Sequence, residues 1–116
     1  MTNKPKYSLF KNTTYALQGL KDLITTESSF KLEMIVFFIA LPIIIYVDKS
    51  MIEKLFLFGS LVLVLITEAM NGAVERVVDL VTRDYHELAG KAKDAGSAAV
   101  FLSISLGVIV WVVILI

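Results

Sequence analysis

Three stretches of the chain contain no charged residue, and they predict membrane helices. They are residues 34–47, 55–67 and 95–116. The last could cross the hydrocarbon layer by itself, since about 20 helical residues are needed. The first two would span with charged ends that pair or lie among the headgroups. The alternative, one anchor and two buried helices of a soluble domain, leaves too few polar residues to cover a soluble surface.

The segment before the first span predicts a helix that lies on the membrane surface or packs against the spans. Between residues 8 and 24, apolar side chains such as Phe10, Leu17 and Ile24 recur on one face, and lysines lie elsewhere. Cap-forming residues at 25–29 suit a new helix start. We predict one all-α membrane domain over residues 1–116, with a surface helix at about 8–24 and spans at about 30–47, 51–81 and 94–116.

Composition and charge exclude several functions and suggest an orientation. The net charge is zero and there is no cysteine, so neither nucleic-acid binding nor a thiolate metal site is predicted. Lysine and arginine are more frequent near the N-terminus and around the connection 82–94 than in the turn 48–54, which predicts that the first two regions are cytoplasmic. The residues are Lys4, Lys6, Lys11, Lys21, Arg76, Arg83, Lys91 and Lys93, against Lys49 and Lys54.

The second predicted span continues into a helix with an acidic face. Glu68, Asn71, Glu75 and Asp79 fall within an arc of roughly 80°. At 1.5 Å per residue the apolar part covers about 24 Å, so Glu68 should lie at the far edge of the hydrocarbon. Ionisable residues at this depth indicate a functional site, and Glu68 could act as a general base on a lipid headgroup. The alternative is a buried carboxylate paired with a lysine of another helix.

The carboxylates further along this face could hold a metal ion. Glu75 and Asp79 offer oxygen ligands that suit Mg²⁺ when substrate phosphates complete its coordination. The alternatives are a solvated face for Asp79 and, for Glu27, a complement to the helix dipole. The chain has no common nucleotide-binding motif, so helix side chains would have to form an ATP site. Three thin helices can hardly enclose one, which favours a homo-oligomer with shared sites.

Other polar residues near the ends of the spans are candidates by position alone. Asn71 can hydrogen-bond across helices or to a ligand, and Gly72 permits a close approach. Lys93 and Asp94 precede the third span, where a cation can meet a phosphate or lie at the headgroups. His86, the one histidine of the chain, would by itself be read as a surface residue.

Two motifs go further than spacing alone. EAMNGAVERVVD (68–79) and YHELAGKAKDAGSAAV (85–100) closely resemble the signature of the prokaryotic diacylglycerol kinase family, with its E-x-x-N-[ST]-A-[IV]-E-x-[VL]-[VI]-D core. YALQGLK, FKLE, the three spans and the length fit as well. The resemblance implies a homotrimer in the bacterial inner membrane, with its N-terminus in the cytoplasm. It would phosphorylate diacylglycerol to phosphatidic acid with MgATP, at sites shared between subunits.

The resemblance also implies roles for individual residues. Glu68 would be the catalytic base, Asn71 would support the reacting groups, and Glu27 and Glu75 would hold Mg²⁺ on the ATP phosphates. The implied nucleotide contacts are Asp84, Tyr85, His86, Lys93 and Asp94, with Tyr15 a weaker candidate. The chain departs from the family pattern at two positions. Ser8 stands about where some members have an arginine, which Lys6 or Lys11 would replace, and Gly72 stands where serine or threonine is usual.

Three other functions compete with this interpretation. The first is an undecaprenol kinase of the same family, although YHELAGKAKDAGSAAV is closer to the diacylglycerol branch. The second is an ion- or proton-conducting oligomer, which should have acidic residues through the depth of the membrane, whereas the first and third spans have none in their middle. The third is a non-catalytic assembly subunit, which gives no reason for Glu68, Asn71 and Glu75 to share a face.

Overall fold

The computed structural model describes residues 8–116, which form four α-helices. Their order is α1 (Leu9–Thr26), α2 (Ser28–Tyr46), α3 (Met51–Val81) and α4 (Glu87–Leu115). The last three are long and apolar enough to cross a membrane. These findings confirm the predicted all-helical chain with three candidate spans. Lys4 and Lys6, two of the lysines on which the predicted orientation depends, lie outside the described residues.

α1 begins at a polar cap and keeps much of its apolar surface exposed. The Ser8 hydroxyl accepts a hydrogen bond from the Lys11 backbone N–H at 3.4 Å, as expected for an N-cap. Phe10 and Leu17, two members of the predicted apolar face, are both exposed. α1 therefore carries apolar side chains that the protomer does not cover, and its place at the membrane surface stays a prediction.

The break between α1 and α2 consists of a single residue, Glu27. The cluster 25–29 marks this boundary, but its hydroxyl groups do not cap the new helix. Thr25 and Thr26 instead donate backwards to carbonyls of the last turn of α1, among them Asp22 O at 3.0 and 2.7 Å. Glu27 is the N-cap of α2 without a capping hydrogen bond from its side chain. Its carboxylate is therefore available for tertiary contacts.

The turn between α2 and α3 is held by hydrogen bonds at both of its ends. Ser50 and Glu53 form a reciprocal capping box that starts α3, with distances of 3.1 and 3.0 Å. The Lys54 ammonium donates to the Ile45 carbonyl at 2.8 Å and so satisfies part of the end of α2. Pro42 lies inside α2, which a membrane helix tolerates.

α4 begins at Glu87, earlier than the start at about residue 94 predicted for the third span. The Nδ1 atom of His86 accepts a hydrogen bond from the Leu88 backbone N–H at 3.1 Å and caps the helix. Glu87 places a negative charge in the first turn, which complements the helix dipole. The connection from α3 is thereby reduced to residues 82–86, and the polar residues that follow belong to a helix.

α3 is the central helix, with contacts to α2 and to α4. The α3–α4 contact contains a hydrogen bond of 2.7 Å between the hydroxyls of Thr67 and Ser103. Trp111 donates its indole N–H towards the Leu57 carbonyl and the Ser60 hydroxyl at 3.3 and 3.2 Å. Both polar links lie within otherwise apolar segments, where small hydroxyl residues let membrane helices approach closely.

We expect the Thr67–Ser103 contact to contribute modestly to stability. A double-mutant cycle with Thr67→Val and Ser103→Ala should give a coupling of about 0.6 kcal/mol, the average for hydrogen bonds between membrane helices. Unfolding in mixed detergent micelles measures it, with each single variant as the reference. A coupling near zero would show that each hydroxyl is equally well satisfied by its own helix, since Ser103 also donates to the Val100 carbonyl.

Candidate active site

The acidic face of α3 is where the other three helices meet it. Glu68 contacts the first turn of α2, Gly72 lies close to α1, and Asn71 and Asp79 contact α4. The alignment of these positions along α3 was predicted from the sequence alone. The structure adds that this face, the junction of the helices, is buried at Glu68 and partly exposed at Asn71, Glu75 and Asp79.

Glu68 is the buried acidic group of this junction. Glu68 is only 9% exposed. The Ser29 hydroxyl donates a hydrogen bond to its Oε2 atom at 3.0 Å. Ser29 can reach it because the single-residue break at Glu27 places the first turn of α2 against α3. Within residues 8–116, none of the ion pairs involves Glu68. The alternative of a lysine partner is therefore wrong for the described residues.

Asn71 packs against α4 at Gly96, where the lack of a side chain leaves room for its amide group. A Cβ atom built at Gly96 would collide with the Oδ1 atom of Asn71. That Oδ1 atom is buried without a hydrogen-bond partner among the described residues. An unpaired buried acceptor is costly and calls for an explanation. Its position one helical turn after Glu68 suits a group that supports the reacting atoms.

The glycine at position 72 corresponds to a close contact between α1 and α3. A Cβ atom at Gly72 would lie 3.2 Å from the Cδ2 atom of Leu23, and Leu23 is the buried residue of α1. With a larger residue here, the Leu23 side chain would have to shift by a few tenths of an ångström. This departure from the family pattern thus accompanies tight helix packing.

Arg76 connects the same stretch of α3 to the end of α1. Its guanidinium forms an ion pair with Asp22 at 2.7 Å, donates to the Thr26 hydroxyl at 2.9 Å, and lies 3.6 Å from the Glu27 carboxylate. The candidate metal ligand Glu27 thereby lies beside α3, within 3.6 Å of Arg76. Glu27 is consequently more than a complement to the dipole of α2.

Asp79 and Lys93 form the ion pair that joins α3 to α4, with 2.7 Å between Nζ and Oδ1. The two side chains are 35% and 42% exposed, so solvent weakens the attraction between them. Asp79 is thus partly in contact with solvent, as the alternative of a solvated face requires, and is also paired with Lys93. Asp79 keeps Lys93 directed towards the acidic face of α3.

The residues just beyond α3 form an open groove next to this ion pair. Asp84, Tyr85 and His86 line it together with Lys93, and Gly90 lies at its wall. Four of the predicted nucleotide contacts are therefore brought together. Asp94 is exposed on α4 and does not line the groove, and neither does Tyr15, which is half-buried on α1.

The protomer alone offers an incomplete set of ligands for a metal ion. Among residues 8–116, no three acidic or histidine side chains converge on one point. A pair of carboxylates suits Mg²⁺, because this ion keeps several waters and takes oxygen ligands from phosphates. Glu27 and Glu75 have the oxygen ligands that Mg²⁺ accepts, and their role as its ligands stays a prediction.

The sequence alone does not predict the roles of three residues in this junction. Ser29 was interpreted as a capping residue, Arg76 only as a cytoplasmic charge, and Gly96 only as part of a motif. Each owes its importance to a contact with a residue far away in the sequence. One signal is present in the sequence: the run AGSAA at 95–99 consists of small residues, which allow α4 to approach another helix closely.

Comparisons with known proteins agree with one another. The family model for prokaryotic diacylglycerol kinase matches residues 14–115. The diacylglycerol kinase of Haemophilus influenzae is 40% identical over 103 residues, which cover 89% of this chain and 87% of the relative. That of Escherichia coli K12 is 38% identical over 107 residues, with coverage of 92% and 88%. That of Pseudomonas aeruginosa PAO1 is 32% identical over 103 residues, with coverage of 89% and 84%.

Proposed function

Because the chain belongs to the prokaryotic diacylglycerol kinase family and is a lipid kinase, we propose that it transfers the γ-phosphate of MgATP to diacylglycerol and forms phosphatidic acid. The observation that carries the proposed chemistry is the state of Glu68. It is a buried carboxylate on a helix long enough to cross a membrane, with its Oε2 atom hydrogen-bonded by Ser29. A group so placed can receive a proton from a lipid hydroxyl.

Glu68 acts as the general base in this proposal. Ser29 orients the carboxylate by donating to Oε2 at 3.0 Å, and Oε1 takes the proton of the lipid hydroxyl. The lipid oxygen attacks the γ-phosphorus of ATP as the bond to the bridging oxygen breaks and ADP leaves. The lipid reaches Glu68 by diffusion in the plane of the membrane. Phosphoryl transfer depends mainly on positioning and charge neutralisation, so a small site on helix side chains can suffice.

The groups around Glu68 position the two substrates. Asn71 supports the reacting groups from one helical turn away. Lys93, fixed by Asp79 at 2.7 Å, places a positive charge beside the groove, where it neutralises phosphate oxygens. The other nucleotide contacts in this proposal are Tyr15, Asp84, Tyr85, His86 and Asp94. ATP enters this end of the protein from the cytoplasm.

Glu27 and Glu75 hold the Mg²⁺ that accompanies ATP, which supplies charge neutralisation on the phosphates. Replacing either one by glutamine should raise the Mg²⁺ concentration needed for half-maximal activity about tenfold and lower turnover. Titration of activity with Mg²⁺ at fixed ATP measures this. Glu87→Gln is the matched control, because the ion pair that Glu87 forms among the described residues is with Lys91 on the same helix, at 3.2 Å. Unchanged Mg²⁺ curves for the Glu27 and Glu75 variants would reject the metal role.

The protein works as a homotrimer in the bacterial inner membrane, with its N-terminus in the cytoplasm, in this proposal. Large apolar residues remain exposed along all three candidate spans, which leaves surface for both lipid and subunit contacts. The lysines and arginines near the acidic end of α3 support the orientation.

Undecaprenol is the alternative substrate, and the names of the relatives favour diacylglycerol. The experiment offers labelled ATP to the purified protein in micelles that contain equal mole fractions of both lipids, with and without Mg²⁺. We expect labelled phosphatidic acid that depends on Mg²⁺. Labelled undecaprenyl phosphate as the main product would reject the proposed substrate. No labelled lipid from either would reject the proposed function and leave an ion-conducting oligomer as the better account of the carboxylates.

A further inference from the structure

Arg76 is a charged residue of this junction, and the proposed chemistry assigns it no role. Its guanidinium makes three contacts in the segment where α1 ends and α2 begins. One nitrogen lies 2.7 Å from Asp22 Oδ2, and the other lies 2.9 Å from Thr26 Oγ1 and 3.6 Å from Glu27 Oε2. A planar guanidinium is suited to such a fork of acceptors and keeps its charge at any working pH.

The three contacts differ in strength in a way that singles out Glu27. The distances to Asp22 and Thr26 are those of good hydrogen bonds, whereas 3.6 Å to Glu27 is longer than a hydrogen bond and retains only electrostatic attraction. Arg76 can therefore release Glu27 and still remain fixed to α1. Asp22 and Thr26 act as an anchor, and Glu27 is the partner that can be exchanged.

We propose that Arg76 is a positioning residue that holds Glu27 in the metal-free enzyme and yields it when Mg²⁺ arrives with the nucleotide. The inference rests on the proposed role of Glu27 as a metal ligand. Glu27 is a single non-helical residue between two helices, so its backbone direction is set by α1 and α2, and Arg76 sets where its side chain lies. The carboxylate is kept beside α3, 3.6 Å from the Arg76 guanidinium, before the metal binds.

The contact between Arg76 and Glu27 should lower the affinity of Glu27 for Mg²⁺, and this effect can be measured. Arg76 and Mg²⁺ are both cations, and both draw on the same carboxylate, so each weakens the binding of the other. A Glu27 side chain without Arg76 would attract Mg²⁺ more strongly but would be less well placed. The side chains of Arg76 and Glu27 are 44% and 31% exposed, and solvent keeps the competition modest.

Arg76→Gln should therefore lower the Mg²⁺ concentration for half-maximal activity about two- to fivefold, even if turnover falls. Asp22→Asn should shift it in the opposite direction, about twofold upwards, because the whole charge of Arg76 then acts on Glu27. Opposite shifts from the two members of one ion pair are not expected from a structural contact, whose loss would have the same effect from either side. A raised or unchanged Mg²⁺ requirement in Arg76→Gln would overturn the proposal.

Metal binding is also measured without catalysis, by titrating the purified variants in micelles with Mn²⁺ and following free Mn²⁺ by electron paramagnetic resonance. Arg76→Gln should bind Mn²⁺ more tightly than the wild type, by the same two- to fivefold factor. Lys91→Gln is the control, since it removes one positive charge near the same end of α4, where Lys91 pairs with Glu87. An equal shift in Lys91→Gln would assign the effect to overall charge and overturn the proposal.

The two readouts separate this inference from the proposed function. If the wild type transfers no phosphate to lipid, the proposed function fails, but the order of Mn²⁺ affinities still tests the exchange at Glu27. If Arg76→Gln is not stably folded, Asp22→Asn decides alone: tighter Mn²⁺ binding in that variant, against the expected weakening, contradicts the exchange.

Discussion

Glu68→Gln should reduce phosphate transfer at least about 100-fold, the lower end of the contribution of a general base. Glutamine has the shape of glutamate and can accept the hydrogen bond that Ser29 donates at 3.0 Å, so the junction of α2 and α3 should persist. It cannot take the proton of the lipid hydroxyl. The measurement is kcat in micelles saturated with diacylglycerol and MgATP.

Glu53→Gln is the matched control for this prediction. Glu53 lies on the same helix, but at its first turn, where it takes part in the capping box with Ser50, and glutamine fits this position as well. Its turnover should remain close to that of the wild type. Both variants should give the same oligomer by size-exclusion chromatography. Turnover of Glu68→Gln within a factor of about three of the wild type would refute the role of Glu68 as the base.

Gly96→Ala should lower turnover by about 10- to 100-fold, because a displacement near 1 Å in a positioning group has effects of this size. The added Cβ atom would collide with the Asn71 amide, so Asn71 must rotate away or α4 must move. Either response also destabilises the fold, by about 1–3 kcal/mol for overpacking of a tight contact. Activity assays and unfolding in mixed micelles report the two effects separately.

The cause of this loss can be isolated with a second substitution. In an Asn71→Ala background the collision partner is gone, so Gly96→Ala should no longer destabilise the protein. Gly107→Ala is the control on the same helix, since a Cβ atom there meets nothing within 4 Å. If Gly96→Ala destabilises the Asn71→Ala protein as strongly as the wild type, the contact with Asn71 is not the reason for glycine at position 96.

The sequence was sufficient to predict the helices because the apolar blocks are long and almost free of polar residues. The predicted span 51–81 agrees with α3, and the alignment of Glu68, Asn71 and Glu75 follows from helical geometry alone. The start of α4 differed for a local reason. The polar residues 82–94 predict a connection with some helix, and the His86 cap and the charge of Glu87 allow α4 to begin within it.

The partners of the acidic face could not be predicted, since each depends on how the helices pack. Nothing in the pattern of α2 indicates that Ser29 faces Glu68, and nothing near Arg76 indicates contacts with Asp22, 54 positions earlier in the numbering. Asp94 and Tyr15 remain apart from the groove in one protomer. Their proposed contact with nucleotide depends on a second subunit, so the trimer is needed to test it.

The most direct test of a catalytic site at Glu68 is to locate where the lipid hydroxyl binds on the protein. A diacylglycerol analogue with a photoreactive diazirine in place of its hydroxyl group is cross-linked in micelles, and the labelled peptide is identified by mass spectrometry. We predict labelling around Glu68, in residues 64–72, that excess diacylglycerol suppresses. Labelling of the turn 47–50 at the opposite end of α3, or labelling that diacylglycerol does not suppress, would contradict a catalytic site on the acidic face.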